Sequence, residues 1–166
     1  SNNRWNEMAL FDVTDPNNPT ELYSIKIGEK GTYSELLYNH KALLFSKEKN
    51  LLAFPIKVCE VNEKNAKAWS YGDMTFVGAY VYELTLENGF NLKAKLTNLT
   101  EDDWKRLGNY YYGDKQIDRL IYIGDSLYTI SLFFIPSVNK SLSNNDVSIC
   151  LFNSLTLQLE LTHSFS

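Results

Sequence analysis

Glu35, His40 and Lys41 are the residues best placed to meet a ligand. They fall in the run Ser34-Glu35-Leu36-Leu37-Tyr38-Asn39-His40-Lys41, just before a strand-like apolar stretch. A carboxylate acceptor, an imidazole and an ammonium donor can together hold a polar ligand, although a lone histidine is more often a structural hydrogen-bonding residue. His163 lies far along the chain and offers no paired metal ligand. Asp12 and Asp15 flank the turn before Pro16. A hard cation wants several such oxygens, but the surrounding turn residues favour an Asx-type turn instead, and no metal site is expected. Glu35, Asp73 and Asp125 are the carboxylates that a hydrolase or lyase reading would use, because glycosidic cleavage sets two carboxyl groups across the scissile bond. Trp104 with Tyr110, Tyr111 and Tyr112 can stack on sugar rings or simply pack. The chain contains no CxxC, HExxH or P-loop pattern, and Ser34 lacks the context of a nucleophile elbow. No catalytic residue and no cofactor is assigned.

Composition narrows the class. Apolar residues make up 44% and charged residues 22% of 166, ordinary globular usage in a chain long enough for one sizeable core. Eleven Tyr and nine Phe bias the chain towards strands. A net charge of −4 speaks against a nucleic-acid partner, which requires a basic face. No apolar run approaches the roughly 18 residues of a transmembrane helix. Cys59 and Cys150 sit beside apolar runs and read as small core side chains, with a disulfide between them as the alternative. The chain opens on Ser1-Asn2-Asn3, without Met or a signal peptide, and is expected to be a piece of a longer protein.

The elements that position these side chains centre on Gly31 to Ile56. Two apolar runs, 42–45 and 51–56, flank the five-residue polar turn Ser46-Lys47-Glu48-Lys49-Asn50, a hairpin signature. Both runs are continuous rather than alternating, which predicts strands buried on both faces. Further strands are expected at 8–13, 21–27, 76–86, 91–96, 120–123, 127–135 and 147–152, with a half-exposed strand over Leu155 to Leu161. In the segment 91–96, Leu92, Ala94 and Leu96 are expected inward, and Lys93 and Lys95 outward. Residues 60–73 and 138–145 read as loops. Thr100 can cap a short helix that ends by Gly108.

Three segments repeat the same plan of an apolar strand, a turn and an alternating strand. They start at Ala9, Ala79 and Cys150, a spacing of about 70 residues that marks a repeat architecture. Inner hairpins precede the second and third. Four antiparallel strands per unit is the make-up of a propeller blade. The fold class expected is therefore all-β: a partial β-propeller of about two and a half four-stranded blades with antiparallel sheets. The units would be a half blade over 8–27 and blades over 40–97 and 119–165, within a single domain fragment.

The chain resembles bacterial secreted proteins with a C-terminal β-propeller domain. The resemblance rests on Leu10-Phe11-Asp12-Val13-Thr14-Asp15-Pro16-Asn17-Asn18-Pro19, on Gly31-Thr32-Tyr33-Ser34-Glu35 with His40-Lys41-Ala42, on Gly78-Ala79-Tyr80-Val81-Tyr82, and on 119–128. It implies an extracellular or wall-associated propeller and supplies no catalytic residues. A binding or scaffolding module at the cell envelope is the first expectation, and a carbohydrate-active hydrolase or lyase the second. The partners expected are a second copy or the remaining blades of the parent chain, with a cell-wall or carbohydrate ligand, no nucleic acid and no membrane span.

Overall fold

The computed structural model describes residues 6–61, 71–106, 113, 115–124, 126–131, 140–142 and 147–153. Its strands are β1 (Asn6–Asp12), β2 (Thr20–Ile27), β3 (Leu44–Ser46), β4 (Leu51–Glu60), β5 (Asp73–Thr85), β6 (Gly89–Leu96), β7 (Arg119–Ile123), β8 (Ser126–Ser131), β9 (Lys140–Leu142) and β10 (Val147–Asn153), with one helix, α1 (Glu101–Arg106), between β6 and β7. They form a first sheet β1-β2, a middle sheet β3-β4-β5-β6 and a third sheet β7-β8-β10-β9.

The middle sheet is covered on both faces, and β4 explains how. Alternate side chains of a strand point to opposite faces. Leu51 and Ala53 join Ala79, Val81 and Leu96 in a core shared with Ile117, Leu120 and Leu127 near and within the third sheet. Leu52, Phe54, Ile56 and Val58 join Tyr80 and Tyr82 in a second core with Ile27 of the first sheet. A continuous apolar run is what a strand between two sheets requires.

Pro55 sits inside this central strand without breaking it. Its position lies beyond the end of β3, which pairs only with Leu51 to Ala53. There the edge of β4 is finished by the segment after β2. Ser34 Oγ donates to the Pro55 carbonyl at 2.6 Å, Tyr33 and Lys57 exchange backbone bonds at 2.9 and 2.8 Å, and the Cys59 N–H donates to Thr32 Oγ1 at 2.9 Å. No strand asks Pro55 for the N–H it lacks, which is the edge-type setting proline needs.

Several expectations change. Residues 42–45 are not a strand buried on both faces: Ala42 ends a 3-10 turn, His40–Ala42, and β3 is a short edge strand with Phe45 52% exposed. An edge strand has a neighbour on one side only, and Ala42 alone of that run is buried. Leu92 is 40% exposed rather than inward. A register shift between Val81 and Tyr82 pairs Ala94 with Val81 but Leu92 with Tyr82, so the bulge moves Leu92 to the opposite face from Ala94. Residues 140–142, read as loop, form β9. β10 lies antiparallel to β9 but parallel to β8, the one parallel pairing among the described strands. The run 132–136 and the segment 155–161 lie outside the described residues. The helix forms as expected: the Thr100 N–H donates to Asp103 Oδ2 at 2.8 Å and the Asp103 N–H to Thr100 Oγ1 at 3.3 Å, a reciprocal cap.

Candidate functional site

The connection between β2 and β3 is built from two short turns, each started by a side-chain cap. Ser34 Oγ accepts from the Leu36 N–H and opens the turn Glu35–Leu37. Asn39 Oδ1 accepts from the Lys41 N–H and opens His40–Ala42. Ser and Asn are the residues that favour such caps. Because Ser34 is also buried against Pro55, the first turn is held rigidly on the edge of the middle sheet.

That anchoring aims Glu35 at the third sheet. Glu35 Oε1 meets Arg119 Nη2 at 2.6 Å, an ion pair linking residues 84 apart in sequence. The same oxygen accepts from Asn39 Nδ2 at 2.8 Å. Arg119 Nη1 also donates to the Asp118 carbonyl. The Arg119 hydrogen bond holds the Glu35 carboxyl below the usual carboxylate range; partial burial opposes it and Asn39 adds to it. Reciprocally, Glu35 raises Arg119 above its ordinary value. Beside the pair lies a small crevice lined by Tyr33, Glu35, Pro55, Lys57, Gln116 and Ile117 among others, with room for about one water molecule. Burial pulls Lys57 below the ordinary lysine range, with the Asp118 charge opposing.

Of the three residues expected to act together, only Glu35 lies at this junction. His40 and Lys41 are both exposed on the second turn, and neither joins the Glu35 ion pair. Among the described carboxylates, Glu35 and Asp73 lie beside different stretches of β4. Asp73 pairs with Glu60 at the far end of β4, five residues from the Pro55 edge where Glu35 is held, or about 16 Å of strand. Asp125 lies outside the described residues, as do Tyr110, Tyr111, Tyr112 and His163. Trp104 is partly buried on α1.

Asp12 and Asp15 spend their oxygens on their own turn. Asp12 Oδ1 accepts from the Thr14 N–H at 2.8 Å and its hydroxyl at 2.6 Å, and Asp15 Oδ1 accepts from the Asn17 N–H at 3.0 Å. Among the described residues, no group of three or more His, Cys, Asp or Glu side chains is arranged to hold a metal ion. Cys59 is a buried free thiol whose pKa is raised by burial and by Asp73; a protonated thiol is a poor nucleophile. The side chain of Cys150 lies outside the described residues.

Two features of this region escaped the sequence reading. Arg119 enters the sequence reading only within the last blade and the segment 119–128 that carries the resemblance, because nothing local relates it to Glu35. Tyr33 and Tyr38 stack with ring centroids 6.1 Å apart and planes at 25°, on a surface where Tyr38 is 73% and Tyr33 43% exposed. The cap Ser34 was the available signal, since the turn it starts, Glu35–Leu37, lies between the two rings.

No curated protein and no solved structure matches the chain. Residues 2–141 match the family model described as a beta propeller domain. Sheets of mainly antiparallel strands, with the middle one sandwiched between its neighbours, agree with that match, and among the described residues the sheets do not close on themselves. The chain is all-β, a partial propeller, and belongs to the beta propeller domain family.

Proposed function

We propose that this chain is a non-catalytic binding or scaffolding module of the cell envelope, working outside the cell. The observation that supports it is the state of Glu35. A general acid for glycosidic cleavage needs a carboxyl held protonated near neutral pH, hence a raised pKa. Glu35 is instead held ionised by Arg119, and Asp73 sits at the other end of β4, opposite Glu60. The junction is built to keep a charge fixed, which suits recognition. The extracellular location follows from the resemblance to secreted propeller proteins alone.

The partners of the module are the remaining blades of the parent chain or a second copy. Support comes from the third sheet, whose face away from the core carries Ile121, Ile123, Tyr128 and Ile130, with Ile123 52% exposed. Apolar surface of this kind favours being covered.

The test is to incubate the purified chain with cell-wall glycan and soluble polysaccharides while assaying the release of reducing ends. No release is expected from any of them. Release that disappears in Glu35→Gln would establish the hydrolase reading instead. Light scattering on the same preparation is expected to report a dimer or larger assembly, and a monomer that binds no hydrophobic dye at high concentration would remove the covering partner.

A further inference from the structure

We infer that Tyr33, Tyr38 and Glu35 form a sugar-binding platform whose ligand is a neutral polysaccharide chain. The inference rests on the binding-module reading and gives it a place and a ligand class. Tyr33 and Tyr38 are stacked with their rings exposed, and Leu37, also exposed at 57%, lies between them in sequence. Exposed, closely stacked rings at the two ends of a capped turn present an apolar, flat-sided surface at little ordering cost on binding. Aromatic residues with one polar end suit a ligand that is apolar on its faces and polar at its rim.

The second observation is the carboxylate beside the rings. Tyr33 and Glu35 line the same crevice. Both bonds that the Glu35 carboxylate receives fall on Oε1, and among the described residues Oε2 accepts none. The Arg119 and Asn39 contacts therefore fix the group and leave one oxygen as a preorganised acceptor. A carboxylate oxygen takes hydrogen bonds from donors, and a sugar rim is a row of hydroxyl donors. A proline-rich peptide also stacks on aromatic rings, but it presents mainly carbonyl acceptors, which this oxygen would repel. The crevice itself is too small to enclose a sugar ring, so the ligand lies across the surface and only its edge reaches Glu35. That geometry fits an internal stretch of a chain.

The experiment is affinity electrophoresis of the whole chain in gels containing hydroxyethylcellulose, xylan or glucomannan. Retardation is expected in at least one. In that gel, Tyr38→Ala is expected to weaken binding about tenfold, the scale of one stacked ring. Tyr38→Phe keeps the ring and is expected to bind within about threefold of the parent. Glu35→Gln is expected to weaken binding, and Tyr71→Ala, which removes a different exposed tyrosine, to leave it unchanged. Near-ultraviolet dichroism checks that each variant folds. Retardation that survives Tyr38→Ala and Tyr33→Ala overturns the platform while leaving the binding-module reading in place. No retardation in any gel, or binding of a proline-rich decapeptide in place of the polymers, also overturns it. Cleavage of the polymer would instead overturn the non-catalytic reading.

Discussion

β4 and β8 are both apolar strands, yet they meet different fates. β4 is buried along both faces because the first and third sheets pack on either side of it. β8 buries Leu127, Thr129 and Ser131, while Tyr128 and Ile130 on its other face stay partly exposed. The two ends of the stack also differ from each other. The outward face of the first sheet carries Glu7, Ser24 and Lys26, all exposed, with Phe11 and Leu22 exposed towards its turn end. The third sheet turns isoleucines outward. The outward face of the first sheet is thus mixed where that of the third is apolar. An outer pair of strands meets solvent and takes alternation, whereas the third sheet keeps apolar side chains on its outer face. The same apolar composition thus reports a core in one place and a partly exposed face in another.

The largest test of this contrast sets Phe54 against Ile130. Phe54→Ala empties a site 2% exposed and is expected to cost about 3–5 kcal/mol in chemical denaturation. Ile130→Ala, on the open face, is expected to cost about 1 kcal/mol. Equal costs would mean that the outer face of the third sheet is as well covered as the middle one.

A pair of glycines sharpens the comparison at smaller scale. A Cβ on Gly78 in β5 would lie 1.8 Å from the Leu96 carbonyl oxygen, so Gly78→Ala must displace backbone within the middle sheet, at about 3 kcal/mol. Gly124, in the β7–β8 turn, has φ +60 but, among the described residues, nothing within 4 Å of its would-be Cβ. Gly124→Ala should cost only the left-handed strain, about 1 kcal/mol. Thermal or denaturant melts of the two variants side by side decide it.

The smallest effect lies in the ion pairs that lead into the third sheet. Asp103 Oδ2 meets Lys115 Nζ at 2.6 Å. That hydrogen bond, followed by those from Thr100, lowers Asp103 from 3.8 to about 2. A carboxylate depressed in the folded state contributes stability that is fully present above its unfolded value and is lost as pH falls through the folded one. Asp103→Asn is therefore expected to cost about 1 kcal/mol near neutral pH, with the difference from the parent closing between pH 4 and 2. Glu35, lowered by Arg119, behaves with the same sign. A difference that persists at pH 2 would show that Asp103 acts through its cap geometry rather than its charge.

What was legible in the sequence was whatever a short window determines. The run 51–56 announced a strand between two sheets, Thr14 to Pro19 announced its turn, and Thr100 with Asp103 announced a helix start. The site was legible only in part. Glu35 was singled out, and it was grouped with His40 and Lys41, neither of which joins its ion pair with Arg119. Arg119 was invisible as a partner because only the packing of the middle sheet on the third relates it to Glu35. Leu92 was misplaced because a bulge follows from ladder geometry, and the alternation of Leu92, Ala94 and Leu96 contains no sign of it.

The stitching of β4 beyond Pro55 has a consequence for how the molecule opens. The amides of Lys57 and Cys59 owe their protection to Tyr33 and Thr32, not to a neighbouring strand. Tyr23 of β2 likewise donates its hydroxyl to the Leu86 and Glu87 carbonyls. The first sheet therefore cannot peel away as an independent flap. Its departure would strip half the edge of the central strand, so the hydrogen-exchange rates of those two amides should track those of β2, making one cooperative unit of segments about 30 residues apart in sequence.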